Sequence, residues 1–336
     1  MHRALIALAC AALAYGQPKK VVFTASGTQS SPNEKEMADL RAAAPGITLV
    51  PYNEATVMGD IADADGIIGN VTPEMVRAAK KLKWVQVGSA GVERYLFPEL
   101  KDSNIVLTNC KILQGPEIAD HAFALLLSLT RELHRIIPRR TAEEWQPRAY
   151  RPLELRGKNA VVVGVGGIGT QIAIRAAAFG MTVTGVDLRE LPYTPFLTRT
   201  VPPDRLDTVL PSADVLFLAA PETLLTRGMI GARQFALMKP GAYFIAVSRG
   251  RLYDAGALAE AIAGKRLAGA GIDVMDPEPL PKGHPLWKFE NVVITPHIAG
   301  RSDGEHARYL ELFAENLKRF AAGEPLLHVV DKQAGY

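Results

Sequence analysis

Residues 161–169 read Val-Val-Val-Gly-Val-Gly-Gly-Ile-Gly, an apolar, β-branched run that breaks into glycines spaced G-x-G-x-x-G. Residues 170–179 follow with the apolar rhythm of a helix. Strand, glycine turn and helix in this order demand a βαβ unit whose first turn brings backbone close to backbone. Gly164 permits the tight turn, Gly166 lets the main chain approach a pyrophosphate, and Gly169 allows the helix to pack closely on its strand. The phosphate charge then rests on the helix N-terminus. Asp187 closes the next strand, eighteen residues after Gly169, where a carboxylate accepts hydrogen bonds from ribose hydroxyls. An acid there repels a 2′-phosphate, so NAD is expected over NADP, with Arg189 weakening the preference slightly.

The rest of the chain repeats this alternation. Strands are expected at 21–24, 47–50, 66–68, 84–87 and 105–108, with helices at 34–43 and 73–80 capped by Asn33 and Thr72. A second series is expected at 159–163, 182–186, 215–219, 242–247, 269–274 and 292–295. Gly115 and Pro116 open a long helix whose apolar positions are Ile118, Ala122, Leu125, Leu126, Leu129 and Leu133. A loop is expected at 138–152. The last helix, about 302–320, has no sheet of its own to cover and is expected to return to the first unit. With 336 residues the chain exceeds one compact core, and an α/β fold of two doubly wound parallel-sheet domains with a cleft between them follows.

Composition excludes other classes. Hydrophobic residues make up 48% and charged residues 22%, as in ordinary globular proteins. The net charge of +3 is spread along the chain, so no nucleic-acid partner is expected. The basic cluster 131–140 reads as the cationic end of a helix. Cys10 and Cys110 have neither metal-ligand nor redox spacing, so no metal is expected, and Cys110 reads as a small buried hydrophobe. Residues 1–17, with His2 and Arg3 ahead of the apolar run 4–14, have the form of a secretory signal peptide. The run is too short to span a bilayer, and no membrane partner is expected. Cofactor chemistry points instead to the cytoplasm, and the two expectations stand side by side.

Three side chains follow strands of the second series. Arg249 lies in Val247-Ser248-Arg249-Gly250, Glu278 in Asp273-Val274-Met275-Asp276-Pro277-Glu278, and His297 in Thr295-Pro296-His297-Ile298-Ala299-Gly300. Singly each has a bland reading as a surface cation, a loop acid or a packed histidine. Together they form a cation, a carboxylate and an imidazole on the sheet edge where doubly wound folds bind ligands.

These motifs, with Val87-Gly88-Ser89-Ala90-Gly91-Val92-Glu93, Ile118-Ala119-Asp120-His121, Pro221-Glu222-Thr223 and Met238-Lys239-Pro240-Gly241, resemble the D-isomer-specific 2-hydroxyacid dehydrogenase family. The resemblance spans nearly the whole chain after residue 20. It implies a Rossmann NAD-binding domain, 110–298, inserted in a flavodoxin-like substrate-binding domain, 18–109 and 299–336. It implies His297 as the acid–base residue, Glu278 as its partner and Arg249 as the substrate-binding cation, with backbone amides of Ser89, Ala90 and Gly91 also holding the substrate carboxylate. The cofactor set it implies is Gly164, Gly166, Gly167, Ile168, Gly169, Asp187, Pro221, Thr226, Ser248, Asp273 and His297. A homodimer formed through the long helix near 118–133 is expected, an ordinary core helix being the alternative. The serine-alanine-glycine-valine loop is similar to that of glyoxylate and hydroxypyruvate reductases.

The chemistry agrees with this assignment. A guanidinium holds a 2-oxo acid's carboxylate and polarises its carbonyl, while an imidazolium beside a carboxylate gives its proton to the carbonyl oxygen. Ala246 stands where many relatives carry Asn, and Asp120 where Glu is usual; both bear on tuning and specificity. Formate and phosphite dehydrogenases of the same superfamily are rivals. Formate enzymes usually pair the histidine with Gln, so Glu278 argues against formate but leaves phosphite open. A dinucleotide-sensing scaffold without turnover is the alternative from a different class.

Overall fold

The structure is a computed structural model that describes residues 18–24, 32–143 and 145–336. The signal-like segment 1–17, with Cys10, lies outside the described residues. The first sheet contains β1 (Lys19–Phe23), β2 (Ile47–Val50), β3 (Gly66–Ile68), β4 (Trp84–Gln86) and β5 (Val106–Thr108), in the order β2-β1-β3-β4-β5. The second contains β6 (Asn159–Val163), β7 (Thr182–Val186), β8 (Arg199–Val201), β9 (Val215–Leu218), β10 (Ala242–Ala246), β11 (Leu267–Ile272) and β12 (Val292–Ile294), in the order β12-β11-β10-β9-β6-β7-β8. Every pairing is parallel. Helices cover both faces, so central strands such as β9 are buried throughout and read as continuous apolar runs.

Asn33 and Thr72 cap their helices as expected: the Asn33 side chain accepts from Glu36 N–H at 3.0 Å and Thr72 Oγ1 from Met75 N–H at 3.3 Å. β8 was not expected, because this mostly exposed edge strand carries no apolar run. The long helix is shorter than expected. It spans Gly115–Thr130 and breaks at Glu132, whose φ of +57° turns the chain into a second helix, Leu133–Arg139. The Thr130 carbonyl accepts from Leu153 N–H at 2.7 Å, and the Glu132 carboxylate takes Arg135 and the Arg151 N–H. The expected loop therefore begins after residue 139 and includes two single turns, Arg140–Ala142 and Pro147–Ala149.

Ile118, Ala122, Leu125, Leu126 and Leu129 of the first of these helices pack with Val162, Phe217 and Ile245 of the second sheet. That face is thus spent on the chain's own core. The final helix, Glu305–Ala322, packs on the first sheet, Phe320 lying 4.9 Å from Trp84 and Phe313 6.5 Å from Phe23 between ring centroids. A buried polar cluster fixes it there. Trp84 Nε1 donates to Thr108 Oγ1 at 2.8 Å, Thr108 and Asn316 both donate to Gln86 Oε1, and Asn316 Oδ1 accepts from Leu327 N–H at 2.8 Å. Cys110 is buried, and burial pushes its thiol up. Among the described residues no helix is long and apolar enough to cross a membrane.

Candidate active site

The chain leaves β6 outward to β7 and β8 and then returns to β9, so the strand order reverses between β6 and β9. That reversal opens a crevice at the carboxyl ends of the strands. The glycine turn sits there. Gly164 has φ +85°, and a Cβ on it would lie 2.5 Å from Ala220 Cα; a Cβ on Gly169 would lie 1.8 Å from the Gly164 carbonyl oxygen. These two glycines are demanded by close approach. Gly166 is different, since its Cβ position has no protein atom within 4 Å and faces open space at the start of the helix Gly167–Ala178. The turn therefore leaves room for a dinucleotide's pyrophosphate at a helix N-terminus. A Cβ on Gly167 would lie 2.6 Å from Ile112 Cα, so this glycine also lets the helix approach the crossover segment.

Asp187 ends β7. One carboxylate oxygen accepts from Val165 N–H at 2.9 Å and the other from Arg189 N–H at 3.0 Å and Nε at 3.1 Å. Burial pushes this carboxyl up, but the bonds from Arg189 and Val165 outweigh it and leave it below the usual range. Thr226 Oγ1 donates to the Pro221 carbonyl at 2.7 Å and accepts from Thr223 N–H at 2.8 Å, pinning the turn after β9. Ser248, after β10, is buried and its hydroxyl has no partner, a polar atom ready for a ligand beside the crevice.

A cleft of about 160 Å³ between the sheets is lined by Ser89, Ala90, Gly91, Arg249, Asp273 and His297, among others including Ile168. Loop 88–91 forms one side of the cleft. Its carbonyls are tied back: Ser89 O accepts from Cys110 N–H at 3.0 Å, Ala90 O from Asn109 Nδ2 at 2.6 Å and Gly91 O from Ser89 Oγ at 2.6 Å. The amides of Ser89, Ala90 and Gly91 have no acceptor among the described residues. Three unpaired N–H groups in one short loop form a nest that suits a carboxylate. Arg249 adds a full charge. Its Nε donates to Glu93 Oε1 at 2.8 Å and its Nη1 to the Ser248 carbonyl at 2.8 Å, and a Cβ on Gly91 would lie 1.8 Å from Nη2.

His297 and Glu278 meet as expected, Nδ1 lying 2.7 Å from Glu278 Oε2. Glu278 Oε1 accepts from Met275 N–H at 3.0 Å, which orients the carboxylate. With Nδ1 engaged, Nε2 is the ring nitrogen left for proton transfer. The histidine backbone has φ +53°, a costly conformation for a side chain of this size. Asp273 holds it. Its buried carboxylate accepts from Ile298 N–H at 3.0 Å, Ala299 N–H at 2.9 Å and Thr295 Oγ1 at 2.6 Å, and its carbonyl accepts from His297 N–H at 2.9 Å. His121 Nε2 lies 2.8 Å from Thr295 Oγ1, which ties the 115–130 helix into the same cluster.

The expected residues fall into two groups on one edge. Arg249, Glu278, His297 and the 89–91 loop meet at the cleft, while Gly164, Gly166, Asp187, Pro221 and Thr226 lie at the ends of β6, β7 and β9. Sequence reasoning assigned no role to Glu93, Thr295 or His121. Glu93 and His121 stood inside recognised motifs, but their partners lie 156 and 174 residues away and leave no local pattern.

Residues 123–299 match the model of the D-isomer-specific 2-hydroxyacid dehydrogenase NAD-binding domain. The chain belongs to that family. It is a nicotinamide-dependent dehydrogenase with an NAD-binding domain, similar to a D-3-phosphoglycerate dehydrogenase of Archaeoglobus fulgidus at 32% identity over 288 residues, 84% of this chain and 52% of the relative. The chain thus spans about half the length of that relative. It is also 32% identical to a glyoxylate reductase of Korarchaeum cryptofilum over 292 residues, 84% of this chain and 87% of the relative. Among solved structures, a family member from Xanthobacter autotrophicus Py2 in complex with NADPH and MES superposes with a TM-score of 0.81 at 26% identity, covering 95% of this chain and 100% of that one.

Proposed function

We propose that this dehydrogenase reduces a small 2-oxo acid, glyoxylate or hydroxypyruvate, to the D-2-hydroxy acid, with NADH preferred to NADPH. The observation that carries the reading is the convergence, on one small cleft, of the Arg249 guanidinium, the unpaired amides of Ser89, Ala90 and Gly91, and the His297–Glu278 pair. Arg249 and the loop amides hold the substrate carboxylate, and Arg249 polarises the adjacent carbonyl. His297 Nε2 gives a proton to the carbonyl oxygen, and the Glu278 carboxylate at Nδ1 stabilises the imidazolium before that transfer. In the oxidative direction the neutral ring takes the proton back. When bound, the nicotinamide supplies the hydride; Gly164 to Gly169, Asp187, Pro221, Thr226 and Ser248 hold the dinucleotide. Closure of the segment 18–109 with 299–336 over residues 110–298 excludes water.

The Asp187 carboxylate at the end of β7 supports NADH, since a carboxylate there accepts from ribose hydroxyls and repels a 2′-phosphate. A homodimer belongs to the same reading, with one change of surface. The 115–130 helix buries its apolar face internally, whereas Leu133, Ile137 and Trp145 are exposed just beyond it and supply the apolar contact. Light scattering after size exclusion tests the dimer. The activity is tested by following NADH and NADPH absorbance with glyoxylate, hydroxypyruvate, pyruvate and phenylpyruvate. Turnover with NADH on glyoxylate or hydroxypyruvate supports the reading, and its absence on all four overturns it.

A further inference from the structure

The cleft has a wall that the proposed proton and anion chemistry does not use. After His297 the chain turns through Gly300 and Arg301 into the final helix, and Gln114, Arg301, Glu305 and Tyr309 line the same cleft as Arg249. Two of these carry unspent hydrogen-bonding capacity. Glu305 Oε2 is buried with no partner, and the exposed Arg301 guanidinium acts on the same carboxyl through its charge while keeping donors open to the cleft. Burial, with help from Glu117, pushes the Glu305 carboxyl above the usual range, against the Ser302 backbone bond and the charges of Arg301 and Arg308.

We infer that Arg301 and Glu305 form a side-chain subsite selecting 2-oxo acids that bear a hydroxyl on the carbon next to the carbonyl. This rests on reading the cleft as a 2-oxo acid site. A hydroxyl donates once and accepts twice, so it satisfies the carboxyl oxygen and the guanidinium together. A methyl group satisfies neither and leaves Glu305 Oε2 buried without a partner. An anionic substituent meets Arg301 but also faces the carboxyl of Glu305. One cation beside one acid gives the wall no net charge, which suits a neutral polar group. Because Arg301 is solvent-exposed, most of the discrimination falls on Glu305.

The test compares kcat/KM for hydroxypyruvate and pyruvate in wild type, Glu305→Leu, Glu305→Gln and Arg301→Ala. Reading each variant's ratio against that of wild type removes the difference in intrinsic reactivity between the two acids. Glu305→Leu lowers the ratio about tenfold, Arg301→Ala about threefold, and Glu305→Gln, which keeps a hydrogen-bonding group, retains most of it. Arg301→Ala changes an exposed side chain and reads the subsite even if Glu305→Leu fails to fold. Turnover of both acids with the ratio unchanged in these variants overturns the subsite alone. Lack of turnover on every 2-oxo acid in wild type overturns the oxo-acid reading, and the subsite with it.

Discussion

Glu93 Oε1 accepts a hydrogen bond from Arg249 Nε at 2.8 Å, joining a loop of the first sheet to the end of β10 across the cleft. The two side chains are 31% and 27% exposed, so the pair is screened only in part. It presents Nη2 of the guanidinium toward Gly91. Glu93→Gln loosens that placement, and steady-state kinetics should show KM for the oxo acid raised roughly tenfold with a smaller change in kcat. Burial pushes the Glu93 carboxyl up, but the charge and hydrogen bond of Arg249 outweigh it and set it below the usual range. A depressed folded value means the pair's stability is present above the ordinary glutamate value of about 4.3 and lost as pH falls through the lower folded value. Unfolding curves of wild type and Glu93→Gln should therefore differ at pH 6 and converge in acid.

Gly91→Ala places a methyl group where Arg249 Nη2 lies. The guanidinium has to move, and substrate affinity should fall by about tenfold or more while NADH binding, measured by fluorescence titration, stays within about twofold of wild type.

Asp187→Ala removes the carboxylate and frees the Arg189 guanidinium, which now spends Nε and Nη2 on it. A freed guanidinium attracts a 2′-phosphate. The ratio of kcat/KM for NADPH over NADH should rise about tenfold. A ratio that stays constant would show that Asp187 does not face the ribose.

Asn316 is fully buried and links Gln86 of β4 to the Leu327 backbone. Asn316→Leu leaves the Leu327 N–H without an acceptor and takes one donor from Gln86. It should cost about 1–3 kcal/mol, read as a lower midpoint in urea with the slope unchanged.

The strands and the glycine turn were legible because their signals are local: β-branched runs buried on both faces, and glycines whose spacing is set by backbone contact. Even the return of the final helix to the first sheet followed from its unmatched apolar stripe. The break at Glu132 was not legible, since a left-handed turn held by Arg135 and Arg151 leaves no gap in the apolar periodicity. β8 escaped because an exposed edge strand needs no apolar run. At the site, Arg249, Glu278 and His297 were found through their places after strands. Glu93, Thr295 and His121 act through partners that only the fold brings near, so the clamp on Arg249 and the tie of Thr295 to the 115–130 helix emerged from the geometry.

The proposed proton transfer from His297 Nε2 is read by single-turnover NADH oxidation in His297→Ala, with NADH affinity measured on the same preparation. The rate should fall by about 10²–10⁴-fold while NADH still binds. Turnover near the wild-type rate with NADH bound would contradict the assignment of His297 as the proton donor.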